Sequence, residues 1–148
     1  MKKRKSLFSV LSSVLVIMCL FSLTMLPAFA SNSRENNHGD TPFYFSFSGT
    51  KQQTAWRAKT DDSNVYMKVE NVGAQFTAHV IGSNNSTTNS TGTDCSRGYT
   101  YTVSAPGEYR MRNWVHDGTP SYTYAAIYAA PTYGYSYYAN GVWSPDSV

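Results

Sequence analysis

From residue 43 onward, apolar and polar side chains trade places at almost every step. Phe43, Phe45 and Phe47 alternate with Tyr44, Ser46 and Ser48, which sets three phenyl rings on one side of an extended chain. Val65, Met67 and Val69 repeat the device against Tyr66, Lys68 and Glu70. Ala74, Phe76, Ala78 and Val80 do so against Gln75, Thr77 and His79, and Tyr99, Tyr101 and Val103 against Thr100 and Thr102. None of these runs keeps helical spacing for three turns, so the pattern predicts an all-β domain.

Residues suited to turns separate the runs. Asp61-Asp62-Ser63-Asn64 can close a turn through side-chain oxygens, and Pro106-Gly107 suits the centre of a type II turn. Asp117-Gly118 and Asn140-Gly141 have the form of hairpin turns, and Val72-Gly73 is expected to join the strands around Val69 and Phe76 as a hairpin. Strands spaced about ten to fifteen residues apart, with half-polar faces, predict an antiparallel two-sheet sandwich of about seven to eight strands, with a β-barrel as the alternative.

The first thirty residues follow another rule. Lys2, Lys3, Arg4 and Lys5 precede a mostly apolar run over 7–26, and Ala28 and Ala30 then occupy the positions a signal peptidase reads. This predicts a helical, cleaved signal peptide over 1–30 and a secreted product. An uncleaved membrane span is the rival reading, but five Ser and Thr residues dilute the run and Pro27 breaks it. Lipidation at Cys19 is disfavoured by Ile17 and Met18, where a lipobox wants small residues. No stable membrane anchor is expected after processing.

Removing the leader changes the charge. The whole chain carries a formal +3, but residues 31–148 hold eight bases against nine acids, a net −1. Those bases are scattered, so nucleic acid is not expected as a partner. Cys95 becomes the one thiol of the processed chain, which excludes an intramolecular disulfide and leaves burial to hold the fold. The polar stretch 31–41 reads as a flexible lead-in, and 42–148 as a single domain. Within it, 83–97 is so rich in Ser, Thr, Asn and Gly that a mobile loop is expected, with Cys95 an inert thiol upon it.

The chain has twelve tyrosines, and seven of them fall within 122–138. Tyr122 and Tyr124, like Tyr135 and Tyr137, stand two residues apart, so a strand would set each pair in a row on one face. Facing solvent, such a row is a rigid platform for sugar rings or a protein surface; facing inward, it is strand filler whose hydroxyls need partners. Tyr122, Tyr124, Tyr135 and Tyr137 are therefore the candidate binding residues. Trp56, Trp114 and Trp143 read as core plugs or sheet-edge covers.

Catalytic chemistry is thinly represented. His38, His79 and His116 lack metal-ligand spacing, even with Asp117 beside His116, and no G-x-S-x-G nucleophile motif occurs. Glu70, Glu108 and Asp117 look like solvated strand or turn residues rather than a glycosidase pair. Neither a cofactor, a metal nor an enzymatic activity is expected.

The segments Phe43-Tyr-Phe-Ser-Phe, Trp56-Arg-Ala-Lys and Ala139-Asn-Gly-Val-Trp-Ser-Pro-Asp146, behind a leader, resemble a group of small exported proteins of Gram-positive bacteria grouped as a domain of unknown function. That resemblance implies export and a β-rich fold, and carries no catalytic residue with it. The chain is also similar, more faintly, to lactococcin-972-type bacteriocins, which are leader-bearing β-sandwiches rich in Tyr, Trp and Gly. The resulting expectation is a non-enzymatic extracellular domain that binds an envelope glycan or a protein through an aromatic face. A bacteriocin-like toxin is the alternative.

Overall fold

The computed structural model describes residues 37–87 and 91–148. The predicted leader and the first part of the polar lead-in lie outside these residues. Ten β-segments follow in chain order: β1 (Thr41–Ser48), β2 (Gln52–Gln53), β3 (Arg57–Ala58), β4 (Val65–Val72), β5 (Phe76–Ser83), β6 (Thr93–Asp94), β7 (Tyr101–Val103), β8 (Gly107–Met111), β9 (Tyr124–Pro131) and β10 (Ser136–Ser144). No helix occurs among the described residues.

The segments build two antiparallel sheets. The first runs β1-β10-β4-β8. In the second, β9 and β5 form the centre, β2 and β3 share the outer side of β9, and β6 and β7 share the outer side of β5. Each sheet thus has four strand positions and open edges, which makes a sandwich and not a closed barrel.

The alternation read from the sequence becomes the core. Phe43, Phe45, Phe47, Val65, Met67 and Val69 point inward from the first sheet; Phe76, Ala78, Val80, Ala125, Ile127 and Ala129 meet them from the second. The rings interlock, with Phe47 4.9 Å from Tyr137 and 5.3 Å from Phe76 between centroids. Trp143 closes this core from β10.

Three expected turns are something else, among them Asp117-Gly118, which joins β8 of the first sheet to β9 of the second and closes no hairpin. Val72-Gly73 makes no hairpin, because β4 lies in the first sheet and β5 in the second; the chain crosses between layers there, as it does again from β7 to β8 and from β9 to β10. Hairpin signals in sequence report a local reversal, and an arch between sheets needs the same reversal without the pairing. Asn140-Gly141 lies inside β10, at a register shift against β4. A Cβ at Gly141 would sit 1.9 Å from the Lys68 carbonyl oxygen, so glycine is there because backbone approaches backbone at a bulge.

The broken edge of the second sheet has a local cause. Between β2 and β3, Thr54 donates its N–H to the Ile127 carbonyl at 3.0 Å, while its hydroxyl accepts the Ile127 N–H at 2.9 Å. A side-chain oxygen thereby replaces a ladder carbonyl. The chain just after β6 is tied down at Cys95. Cys95 is fully buried in the core; it donates its N–H to Val80 at 3.0 Å and accepts from Trp114 at 2.9 Å. Polar composition concealed this anchor, since one small apolar residue is enough to fix a strand-like crossing.

Candidate functional site

The four tyrosines singled out by spacing go to different places. Tyr137 is 9% exposed and belongs to the core. Its hydroxyl donates to the Gln75 carbonyl at 2.8 Å and accepts the Thr132 N–H at 3.2 Å, so the polar tip that argued against burial has both partners it needs. Burial pushes that phenol up from its ordinary pKa. Tyr135 stays in solvent on the β9–β10 connection, where it stacks on Tyr133 at 5.3 Å and leans on Tyr137 at 5.7 Å. Tyr122 is half-buried against Trp114, with its hydroxyl 3.1 Å from that of Thr93. Tyr124 packs on the outer side of the second sheet, at the Trp56–Ile81–Ala126 cluster. The structure brings Tyr135 and Tyr137 together and leaves the other two on separate supports.

The most open ring surface is built by residues that spacing in 122–138 did not point to as a set. Tyr44 of β1 and Tyr138 of β10 lie on the outer side of the first sheet, 63% and 50% exposed, stacked at 6.0 Å with 15° between their planes. They are diagonal neighbours, because Tyr44 pairs with Asn140 and Tyr138 with Ser46. Next to them the Asn71 amide donates to the Asn140 side-chain oxygen at 2.9 Å. The β4 bulge turns both Glu70 and Asn71 outward, which brings that amide level with the rings. A sequence signal for Tyr44 did exist: it holds the polar phase of the Phe43-Phe45-Phe47 run, so burying the phenyl rings exposes the phenol.

Further along the same face, β4 and β8 present Lys68, Glu108, Tyr66 and Arg110, and the Arg110 guanidinium lies 5.9 Å from the centre of the Tyr66 ring. His38, Asp40, Ser144, Tyr66, Glu108 and Arg110 border a cleft of about 260 Å³. Burial, followed by the charge of Glu108, raises the Tyr66 phenol. The face therefore grades from stacked rings through neutral amides to a charged, polar cleft.

Elsewhere, two titratable groups with functional potential are engaged within the fold. Asp117 pairs with Arg97 at 2.6 Å, and His79 packs on Tyr128 at 4.9 Å. Among the described residues no group of three or more His, Cys, Asp or Glu side chains could hold a metal ion. Burial pushes the Cys95 thiol up to about 12, which keeps it protonated and unreactive at neutral pH.

The sequence profile of a family described as "Protein of unknown function (DUF2712)" matches residues 26–147, and the chain belongs to that family. No curated protein and no solved structure matches it.

Proposed function

We propose that this chain is an exported, non-enzymatic domain that binds a glycan of the cell envelope on the outer face of its first sheet. One observation carries the reading: two stacked tyrosines, both at least half exposed, beside a paired amide on an otherwise polar sheet. The apolar side of a sugar ring stacks on such phenols, and its hydroxyls find donors and acceptors in Asn71, Asn140 and Ser46. Tyrosine is also well suited to a rigid contact surface, since it brings a large area with little rotamer freedom to lose. The leader-like residues 1–30 support export, and the absence of a basic stripe in residues 31–148 speaks against a nucleic-acid partner.

The test is co-sedimentation of the purified chain with insoluble peptidoglycan. Retention of the wild type, reduced roughly tenfold in the Tyr44→Ala/Tyr138→Ala double variant, is the expected result, equivalent to a loss of about 1.4 kcal/mol. Equal retention of both proteins would move the site elsewhere. If neither is retained, on peptidoglycan or on envelope polysaccharide, the glycan reading fails and a protein partner takes its place.

A further inference from the structure

Lys59 and Asp146 meet in the interior at 2.6 Å, and neither side chain has any exposed surface. Lys59 follows β3 near the start of the domain, and Asp146 follows β10 at its end. A fully buried ion pair is a costly way to hold two strands, because both charges must be stripped of water. The surroundings of this pair are arranged in an unusual way. The Asp146 oxygen Oδ1 faces the Lys59 ammonium, while Oδ2 accepts the Asn37 N–H at 2.8 Å, the Thr60 N–H at 3.2 Å and the Thr60 hydroxyl at 2.5 Å. Asp61 offers a second carboxylate to Lys59 Nζ at 3.2 Å. The Ser144 hydroxyl, donating to the Asp146 carbonyl at 2.8 Å, fixes the turn that presents the carboxylate.

We propose that Lys59 and Asp146 condense into an intramolecular isopeptide bond. One proton passes from Nζ to Oδ1 along their short hydrogen bond, giving a neutral amine beside a neutral acid. The Nζ lone pair then attacks Cγ and forms the N–C bond, and negative charge gathers on Oδ2, where two backbone N–H groups and the Thr60 hydroxyl already point. Asp61 accepts the second proton from Nζ and returns it to Oδ1. The Cγ–Oδ1 bond breaks and water leaves. The ammonium and carboxylate together hold three N–H hydrogens and two oxygens; the products are an amide with one N–H and one water, so atoms and charge balance without a co-reactant. The step is favoured by its setting, since it replaces two buried charges with a neutral amide and releases its water to bulk. It also gives a domain whose processed sequence has a single cysteine the covalent cross-link that disulfides cannot supply.

The test is tryptic mass spectrometry of the purified, folded chain. An amide at Lys59 blocks cleavage there, so residues 58–68 should be recovered joined to 113–148, lighter than the two peptides together by one water. Recovery of 113–148 by itself, with Lys59 cleaved, overturns the proposal. So does a water loss confined to 113–148, which is the signature of succinimide formation at Asp117-Gly118. Lys59→Arg supplies an independent reading, because it can keep an ion pair but not form this bond: a midpoint of thermal unfolding well below that of the wild type is expected, and an unchanged midpoint would identify the pair as a salt bridge only.

Discussion

The two sheets share one core but treat their outer faces differently. On the second sheet, Tyr124, Ala126 and Tyr128 of β9 lie beside His79 and Ile81 of β5, and Trp56 rests on Ala126 and Ile81 as a cover. The chain at 91–92 returns over the same place, so closely that a Cβ on Gly92 would meet Trp56 at 2.7 Å and Ile81 at 2.8 Å. On the first sheet, Tyr44 and Tyr138 stand in solvent. Both faces carry outward tyrosines. What separates them is the small residues: Ala126 and Gly92 make room for an indole, whereas Ser46 and Asn140 stand among the open rings without sheltering them. Ring count alone therefore says little about binding, and what lies over a ring decides its use.

Taking the cover away should have the largest effect. Trp56→Ala should cost about 3 kcal/mol in denaturant unfolding, the low end for a buried aromatic, because the cluster beneath is small. Trp56→Phe should cost far less than Trp56→Ala. The indole Nε1 is buried without a hydrogen-bond partner, and phenylalanine keeps most of the ring while removing that donor. If the two variants were equally unstable, the cover would depend on the full indole outline and not on the area it hides.

Crowding the cover should come next. Gly92→Val would push the returning segment off Trp56 and Ile81, at a cost of about 1–3 kcal/mol. Faster amide hydrogen exchange should be confined to β5, β6 and β9, leaving β1 and β10 unchanged. Exchange that rose equally in both sheets would mean that the faces are not independent.

How much of this was legible follows from the range of each interaction. Strand identity in β1, β4 and β5 follows from alternation, since burial of one face is local in sequence. Which strand pairs with which is not local. Val72-Gly73 has the turn chemistry of a hairpin and makes an arch, and Asn140-Gly141 reads as a turn but sits inside a strand because the β4 backbone needs the space of a missing Cβ. The same limit applied to the rings. Spacing set Tyr137 in a row with Tyr135 and left open which way the row faced; a carbonyl 62 residues away, that of Gln75, satisfies the Tyr137 hydroxyl inside the core. Tyr44 and Tyr138 become partners only once β1 is set against β10. The Lys59–Asp146 pair spans 87 positions and left no trace in local pattern.

Cys95 tests the junction between the covered sheet and its returning segment. The folded thiol keeps its proton to about 12, whereas an unfolded thiol releases it near 9. Between those values the unfolded chain binds fewer protons than the folded one, so stability should decline as pH rises through that window and be insensitive to this group below it. At pH 8 an alkylating reagent should leave Cys95 untouched in the native chain and modify it fully in denaturant. Prompt labelling of the native chain would show the segment opening on its own.

The smallest effects should distinguish two adjacent residues on opposite sides of the first sheet. Tyr137→Phe deletes a hydroxyl that bonds both Gln75 and Thr132 and leaves their backbone groups only the 3.3 Å hydrogen bond they make with each other, at a cost of about 1 kcal/mol. Tyr138→Ala removes a much larger group, yet its stability should stay within about 0.5 kcal/mol of wild type, because that ring touches mainly Tyr44 and solvent. Its cost should appear instead as lost retention on peptidoglycan, where Tyr137→Phe should behave as wild type. A reversal, with Tyr138→Ala unstable and Tyr137→Phe neutral, would mean that the open face is held for the fold and not for a ligand. The ring that the fold can spare is the one whose exposure asks for a binding partner.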